Sequence, residues 1–311
     1  MFLKMKNLDL NYVRRREYIN NFYGLKNLIH ISLLYITFFV FSITLVIFYN
    51  NIISYLVIFI ISSIYQRFLT EWLHEGVHFN IHPNKNINEF VSKWFLGSLF
   101  GLPLDQFRES HFKHHKSKSY FHDGDTDTSY AKISSRKDLF FAILRDLFFI
   151  NAVYSYLVFI FNNIFFNKTD KNPEVKSSVL SAVAPIFVMQ IIFFSISIYF
   201  QEYGIWLSFY LSMLSLYPLL SRIRLYGQHL SFDNKGDVSF STSETSRTID
   251  GNWLDRLLFS SHLMCFHYEH HAKPSLPYRA LRKIQKGSPN DPNRYLKSHW
   301  PFLKKLFALK K

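Results

Sequence analysis

From Leu28 to Phe48 the chain contains no Asp, Glu, Lys or Arg. Only Tyr49-Asn50-Asn51 separates this run from a second, Ile52 to Leu69, whose one charge is Arg67. About 20 apolar residues in a helix cross about 30 Å of hydrocarbon, so two such runs joined by so short a turn predict a transmembrane hairpin. The pattern returns: Val179 to Phe200 and Ile205 to Leu220, joined by Gln201-Glu202-Tyr203-Gly204, predict a second hairpin. The expected fold class is all-α. It has four spans (about 28–48, 52–69, 179–200 and 205–220) and a cytosolic helical cap built from residues 71–178 and 222–311. The whole of 1–311 reads as one integral-membrane domain.

The segments between the hairpins are less apolar. Phe90 to Leu104, interrupted by Gly97, Gly101 and Pro103, is short for a span and reads as a buried or interfacial helix. Asp138 to Phe166 is apolar and aromatic, but Arg145 and Asp146 interrupt it. Charges are costly at bilayer depth, so this stretch is expected to lie along the membrane interface. Lys168 to Lys176 is a polar connector.

Lys plus Arg number 36 against 22 Asp plus Glu, a formal charge of +14. Such an excess can signal nucleic acid. Here the cations flank the apolar spans and both hairpin turns lack Lys and Arg, which is the positive-inside pattern. No nucleic-acid partner is expected, and both termini are expected in the cytosol. The polar start, Met1 to Lys26, does not read as a signal peptide. Cys265 is the sole cysteine, which excludes an internal disulfide.

Histidines cluster just outside the spans: His74 and His78, then His111, His114 and His115, then His267, His270 and His271. On a helix, residues three and four apart share a face. The clusters therefore predict a metal site assembled from distant parts of the chain. Eight imidazoles exceed what one tetrahedral zinc can use, which argues for two metals, and neutral imidazole suits iron, zinc, copper and nickel. His229, directly beneath the last span, is a candidate ninth ligand. Parity supports the assembly, because two crossings separate the second cluster from the third and return the chain to the same side.

Two readings stay open for His122-Asp-Gly-Asp-Thr-Asp-Thr128: a solvated turn, or Asp123, Asp125 or Asp127 orienting a ligating imidazole. Calcium is excluded, since a calcium-binding hand would need Gly where Thr128 stands and Glu where Ser134 stands. His30, His82, His122, His262 and His299 fit no cluster and read as structural. His82 alone extends the helical spacing of His74 and His78. Glu75 and Glu269 are expected to hydrogen-bond neighbouring groups.

The order of apolar hairpin, HxxxH, HxxHH, second hairpin, isolated His and HxxHH resembles the integral-membrane fatty acid desaturase and hydroxylase superfamily. The stretch His267-Tyr-Glu-His-His-Ala-Lys-Pro-Ser-Leu-Pro-Tyr-Arg is similar to that family's third box, and the match covers about Glu71 to Leu281. Many relatives carry Glu before the isolated histidine, where this chain has Gln228. The resemblance implies two irons held by His74, His78, His111, His114, His115, His229, His267, His270 and His271, with dioxygen as co-substrate. It implies desaturation of an acyl chain, with hydroxylation of an acyl, sphingolipid or carotenoid substrate as the alternative. No nucleotide-binding turn or haem domain is recognisable, so electrons are expected from a separate ferredoxin or cytochrome b5-type donor.

Two other classes compete. His74-Glu75-Gly-Val-His78 matches HExxH, the zinc metalloprotease motif, but that reading leaves the other two clusters idle. A metal-storage or transport protein would place ionisable residues along its spans, and these spans contain almost none.

Overall fold

The computed structural model describes residues 14–116, 132–165, 179–232, 238–239, 246–261, 263–286 and 294–308. A short helix α1 (Arg15–Tyr18) leads into α2 (Asn21–Tyr49) and α3 (Ile52–Val77), the first hairpin. Asparagines set its corners. Asn20 Oδ1 accepts from the Tyr23 N–H, and Asn51 Oδ1 accepts from Ile53 and Ser54 N–H, so each helix start has a side-chain cap. α3 runs past the apolar stretch because Glu71, His74 and Glu75 are themselves buried.

α3 ends where Phe79 adopts a left-handed φ of 59°. His82 therefore leaves the helical register. Its ring lies against Gly24 of α2, and its Nδ1 accepts from the Asn84 N–H at 3.0 Å.

The stretch from Phe90 to Leu104, expected as a buried or interfacial helix, is not one regular helix: after α4 (Lys85–Phe90) come a π-helical turn (Val91–Gly97) and a 3-10 turn (Ser98–Phe100). The Tyr35 hydroxyl, well inside the apolar run of α2, donates to the Phe95 carbonyl. The segment therefore dips to the level of the spans. Irregular backbone is tolerated at such depth only where its polar groups are satisfied by protein. Gln190 Nε2 serves Ser98 O at 3.1 Å, and the Tyr156 hydroxyl serves Phe100 O at 2.6 Å.

After α5 (Leu104–Lys116) come α6 (Arg136–Leu147) and α7 (Ile150–Phe165), which meet at a bend of 77°. Phe149, at φ 66°, makes the corner. The expectation of a single helix is corrected here: the stretch is two helices. Asp146 is fully buried, and its carboxylate receives Arg222 Nε at 2.5 Å and Nη2 at 2.9 Å, with Asn151 Nδ2 at 2.6 Å. The charge is accommodated by a partner 76 residues away.

The second hairpin is α8 (Val179–Phe200), α9 (Tyr203–Leu214) and α10 (Leu216–His229). α9 and α10 break at Ser215 because Pro218 lacks an N–H and its ring crowds the carbonyl four residues back. Ser215 uses the break, donating its Oγ to Leu147 O at 3.0 Å. Together α9 and α10 make one span-length unit, Tyr203–His229, longer than expected and carrying His229 at its end.

Four helices among the described residues are long and apolar enough to cross a membrane, or five if the bent α6–α7 pair counts as one more. α3 is central, packing on α2, α9 and α10 through Ile58, Leu69, Trp72 and Phe209. Among the described residues the cap holds four two-residue strands, β1 (Ser231–Phe232), β2 (Val238–Ser239), β3 (Thr248–Ile249) and β4 (Tyr295–Leu296), with helices α11 (Trp253–Leu258), α12 (His267–Ala272), α13 (Tyr278–Lys286) and α14 (Trp300–Phe307).

Candidate metal centre

Four elements bring the histidines together at one end of the bundle. His74 and His78 stand on and just after the last turn of α3, His111, His114 and His115 on α5, His229 on the last residue of α10, and His267, His270 and His271 on α12. All nine sequence-predicted residues sort into two groups. His74, His78, His111, His115 and His270 form one; His114, His229, His267 and His271 form the other. Within each group one ring nitrogen per residue lies within 4.8 Å of all the others.

Helix geometry explains the sorting. At 100° per residue, positions i and i+4 stand about 40° apart, whereas i+3 falls about 60° to the other side. His111 and His115 therefore point one way and His114 the other, and His267 and His271 separate from His270 in the same manner. The three imidazoles of an HxxHH box therefore do not all share one face. Each HxxHH box serves both groups, two and one, while His74 and His78 of the HxxxH box serve the same group.

The nitrogen separations decide what the groups are for. His78, His111, His115 and His270 form a chain of Nε2···Nε2 distances of 3.0, 2.9 and 3.0 Å. In the second group His229, His267 and His271 follow at 2.7 and 3.1 Å. An imidazole nitrogen has one in-plane hydrogen or one lone pair. His111, His115 and His267 Nε2 each approach two neighbours, which hydrogen bonding cannot satisfy. Two ligands at right angles on metal–nitrogen bonds of about 2.1 Å stand about 3.0 Å apart. The sets thus fit a shared ion in the middle of each. Buried His74 agrees, since neither of its ring nitrogens has a hydrogen-bond partner among the described residues.

Burial also sets the protonation state that a metal requires. His78, His115, His267, His270 and His271 are held well below the ordinary histidine value, by burial first and then by neighbouring imidazoles or arginines. For His267 the Arg224 guanidinium is the largest contributor after burial.

A second layer of bonds fixes the four elements to one another. Arg67 and Glu71 form a buried pair at 2.5 Å; Arg67 Nη2 donates to Arg256 O and Leu257 O, and Glu71 accepts from the Ser261 N–H and Oγ. The same turn receives Gln228, whose amide donates to Ser260 Oγ at 3.1 Å and Met264 O at 2.9 Å. A glutamate at 228 could not donate to that carbonyl while ionised.

Glu269 accepts from Thr248 Oγ1 and from the Tyr295 hydroxyl at 2.9 Å, tying α12 to β3 and β4. Glu75 accepts from the Tyr278 N–H at 3.3 Å. Arg108 Nε donates to Val77 O at 3.2 Å, holding α5 to the end of α3.

Sequence reasoning missed two of these contacts. His299 is buried and bonded through Nδ1 to Asp255 at 3.0 Å, and its ring presses on Gly227 of α10. Arg222 closes the pair with Asp146. Partners so far apart in sequence leave no local signal. His122 and the Asp123, Asp125 and Asp127 loop lie outside the described residues, as does His262.

A cavity of about 140 Å³ opens between the two groups and the bundle, touching His74 and His111 of one and His114, His229 and His267 of the other. The molecule is therefore an all-helical membrane-type protein with a doubled, histidine-rich site able to hold metal ions.

Residues 50–302 match the fatty acid desaturase family, and the chain belongs to it. Dihydrorhizobitoxine desaturase of Bradyrhizobium elkanii is 26% identical over 155 residues, which is 49% of this chain and 42% of that enzyme. The matched part thus spans less than half of that relative's length. No solved structure gives a significant match.

Proposed function

We propose that the protein is an oxygen-dependent desaturase of an acyl chain, working at two irons held by His74, His78, His111, His115 and His270 on one side and by His114, His229, His267 and His271 on the other. The observation that carries this reading is the sorting of nine imidazoles into adjoining sets of five and four that open on one cavity. Bound there, an iron pair supplies the dioxygen-dependent oxidation of an unactivated C–H bond, for which no side chain is strong enough. The balance removes two hydrogens from adjacent carbons while dioxygen, two donor electrons and two protons become two waters.

The chain's own residues do the rest. Neutral, buried imidazoles leave their lone pairs free to bind metal. The Arg67–Glu71 and Gln228 bonds hold the last turns of α3 and α10 against α12, so the two sets keep their spacing. Leu102, Phe107, Leu225 and Met264 narrow the cavity and exclude water from the reacting carbons. Residues 1–311 work as a single membrane domain, with the metal site and both termini on the cytosolic side. A ferredoxin or cytochrome b5-type donor docks on its basic cap.

The HExxH protease reading loses ground because His74 and His78 sit among three further imidazoles, and Glu75 accepts a backbone N–H from Tyr278. Metal analysis of the purified chain tests the proposal directly: two irons per chain are expected, and one zinc would refute it. Expression in a host of known lipid profile, with His271→Ala as control, then separates a loss of two mass units (desaturation) from a gain of sixteen (hydroxylation).

A further inference from the structure

The wall of the cavity formed by α10 is polar. Tyr217, Ser221 and Arg224 recur at i, i+4 and i+7, so they share one face of the helix, and all three line the cavity. Thr70 and the Arg67–Glu71 pair face the same space from α3. A wall that only guided an alkyl chain would be apolar there, because a polar group facing hydrocarbon without a partner is costly. The charges do not cancel either: Arg67 and Arg224 stand against Glu71 alone, a net +1 on the lining.

The two arginines differ in how they are satisfied. Arg67 is matched by Glu71 and two backbone carbonyls. Arg224 makes one long bond, 3.3 Å from Nη1 to the neutral Gln228 Oε1, and no carboxylate among the described residues pairs with it. A half-buried guanidinium with its fork still open, on the wall of a cavity, is the complement of a carboxylate.

We infer that Arg224 anchors a free carboxylate of the substrate, so that the site takes a free alkanoic acid and not an ester-linked acyl chain. The inference rests on the oxidation reading above and narrows its substrate class. Tyr217 and Ser221 lie along the same face, their hydroxyls bonded to one another and that of Tyr217 also to Thr70. Arg224, His229 and His267 line one and the same cavity of about 140 Å³, which has room for only a short stretch of chain. The oxidised carbon is therefore close to the carboxyl end and not at the middle of a long chain.

The test is equilibrium binding to the full-length, iron-loaded protein in detergent at pH 7.5, comparing decanoic acid with methyl decanoate by calorimetry. The acid should bind about tenfold to a hundredfold more tightly, the range expected for hydrogen bonds to a charged group. Arg224→Gln should abolish that preference with iron content unchanged, and Arg224→Lys should keep part of it.

Equal affinity for acid and ester, no saturable binding of the acid, or a full preference retained in Arg224→Gln overturns the inference. The wild-type comparison decides alone if a variant fails to fold. Oxidation of the ester at a two-iron centre would leave the desaturase reading standing, whereas a chain without iron would sink that reading first.

Discussion

Asp146→Asn is the most demanding single test of the fold, because it removes one charge from a pair that the bundle encloses. Asp146 and Arg222 side chains are 0% and 1% exposed, and the guanidinium meets the carboxylate through two bonds of 2.5 and 2.9 Å. An asparagine keeps the shape but leaves the Arg222 charge uncompensated in a medium that cannot solvate it. Removing one partner of such a pair costs about 3–5 kcal/mol. At about 2 °C per kcal/mol, the low end of the usual range and the one that suits a chain of this length, the midpoint of thermal unfolding falls by about 6–10 °C.

The assay is tryptophan fluorescence of the detergent-solubilised protein, with variants scanned at one heating rate so that irreversible unfolding affects all alike. The double variant Asp146→Leu with Arg222→Met should regain most of the loss, since a buried pair can be replaced by apolar residues at little cost. A fall below about 2 °C for Asp146→Asn, or a double variant as unstable as the single one, would refute the reasoning that the pair is sealed from solvent.

Further outcomes follow from the site. His229→Ala leaves three imidazoles in its group, whereas His74→Ala leaves four in the other, so metal analysis should show the larger loss for His229→Ala, toward one iron per chain. The metal-free protein should lose stability on acidification. Because burial first, and then neighbouring charges, depress His78, His115, His267, His270 and His271, their contribution is complete above about pH 6.5. It is lost as pH falls toward their folded values, by up to about 1.4 kcal/mol per group per pH unit; a flat unfolding midpoint between pH 6.5 and 5 would contradict this. Gly227→Ala would put a methyl carbon 2.6 Å from the His299 ring, which Asp255 holds in place. It should cost about 1–3 kcal/mol, with recovery in the Gly227→Ala, His299→Ala double variant, as read by the same fluorescence scan.

Much of this was legible from residues alone, for identifiable reasons. The spans could be read because hydrocarbon thickness imposes a length on any apolar helix, and the runs at 28–48 and 179–200 had it. The convergence of the nine histidines could be read because imidazoles at helical spacing at the ends of spans have few other uses. The two-and-one division of each HxxHH box was also available, since it follows from 100° per residue, but treating a box as one face hid it. Pro218 carried a signal for the break at Ser215, but the run 205–220 reads as one unbroken span.

Other features were out of reach. Asp146 looked like a charge to be kept from the bilayer because its partner Arg222 lies on another helix, and nothing near either residue announces the match. The path of 85–101 was equally hidden. An apolar stretch broken by glycines looks alike whether it rests on the membrane or enters it, and only the hydroxyls and amide of Tyr35, Tyr156 and Gln190 distinguish the two.

That dipping segment constrains how the protein is made. The carbonyls of Ser98 and Phe100 are served by side chains 92 and 56 residues further along the chain. Until α7 and α8 have been synthesised and inserted, the Phe100 carbonyl lacks its Tyr156 donor and the Ser98 carbonyl has only the Gly101 N–H of its own turn, so the segment cannot settle fully at its final level during early translation. The first two histidine boxes flank it and must wait as well, while the third is still on the ribosome. Any metal loading would consequently come among the last events of biogenesis, and a chain truncated before α12 would lack His267, His270 and His271 of the two groups.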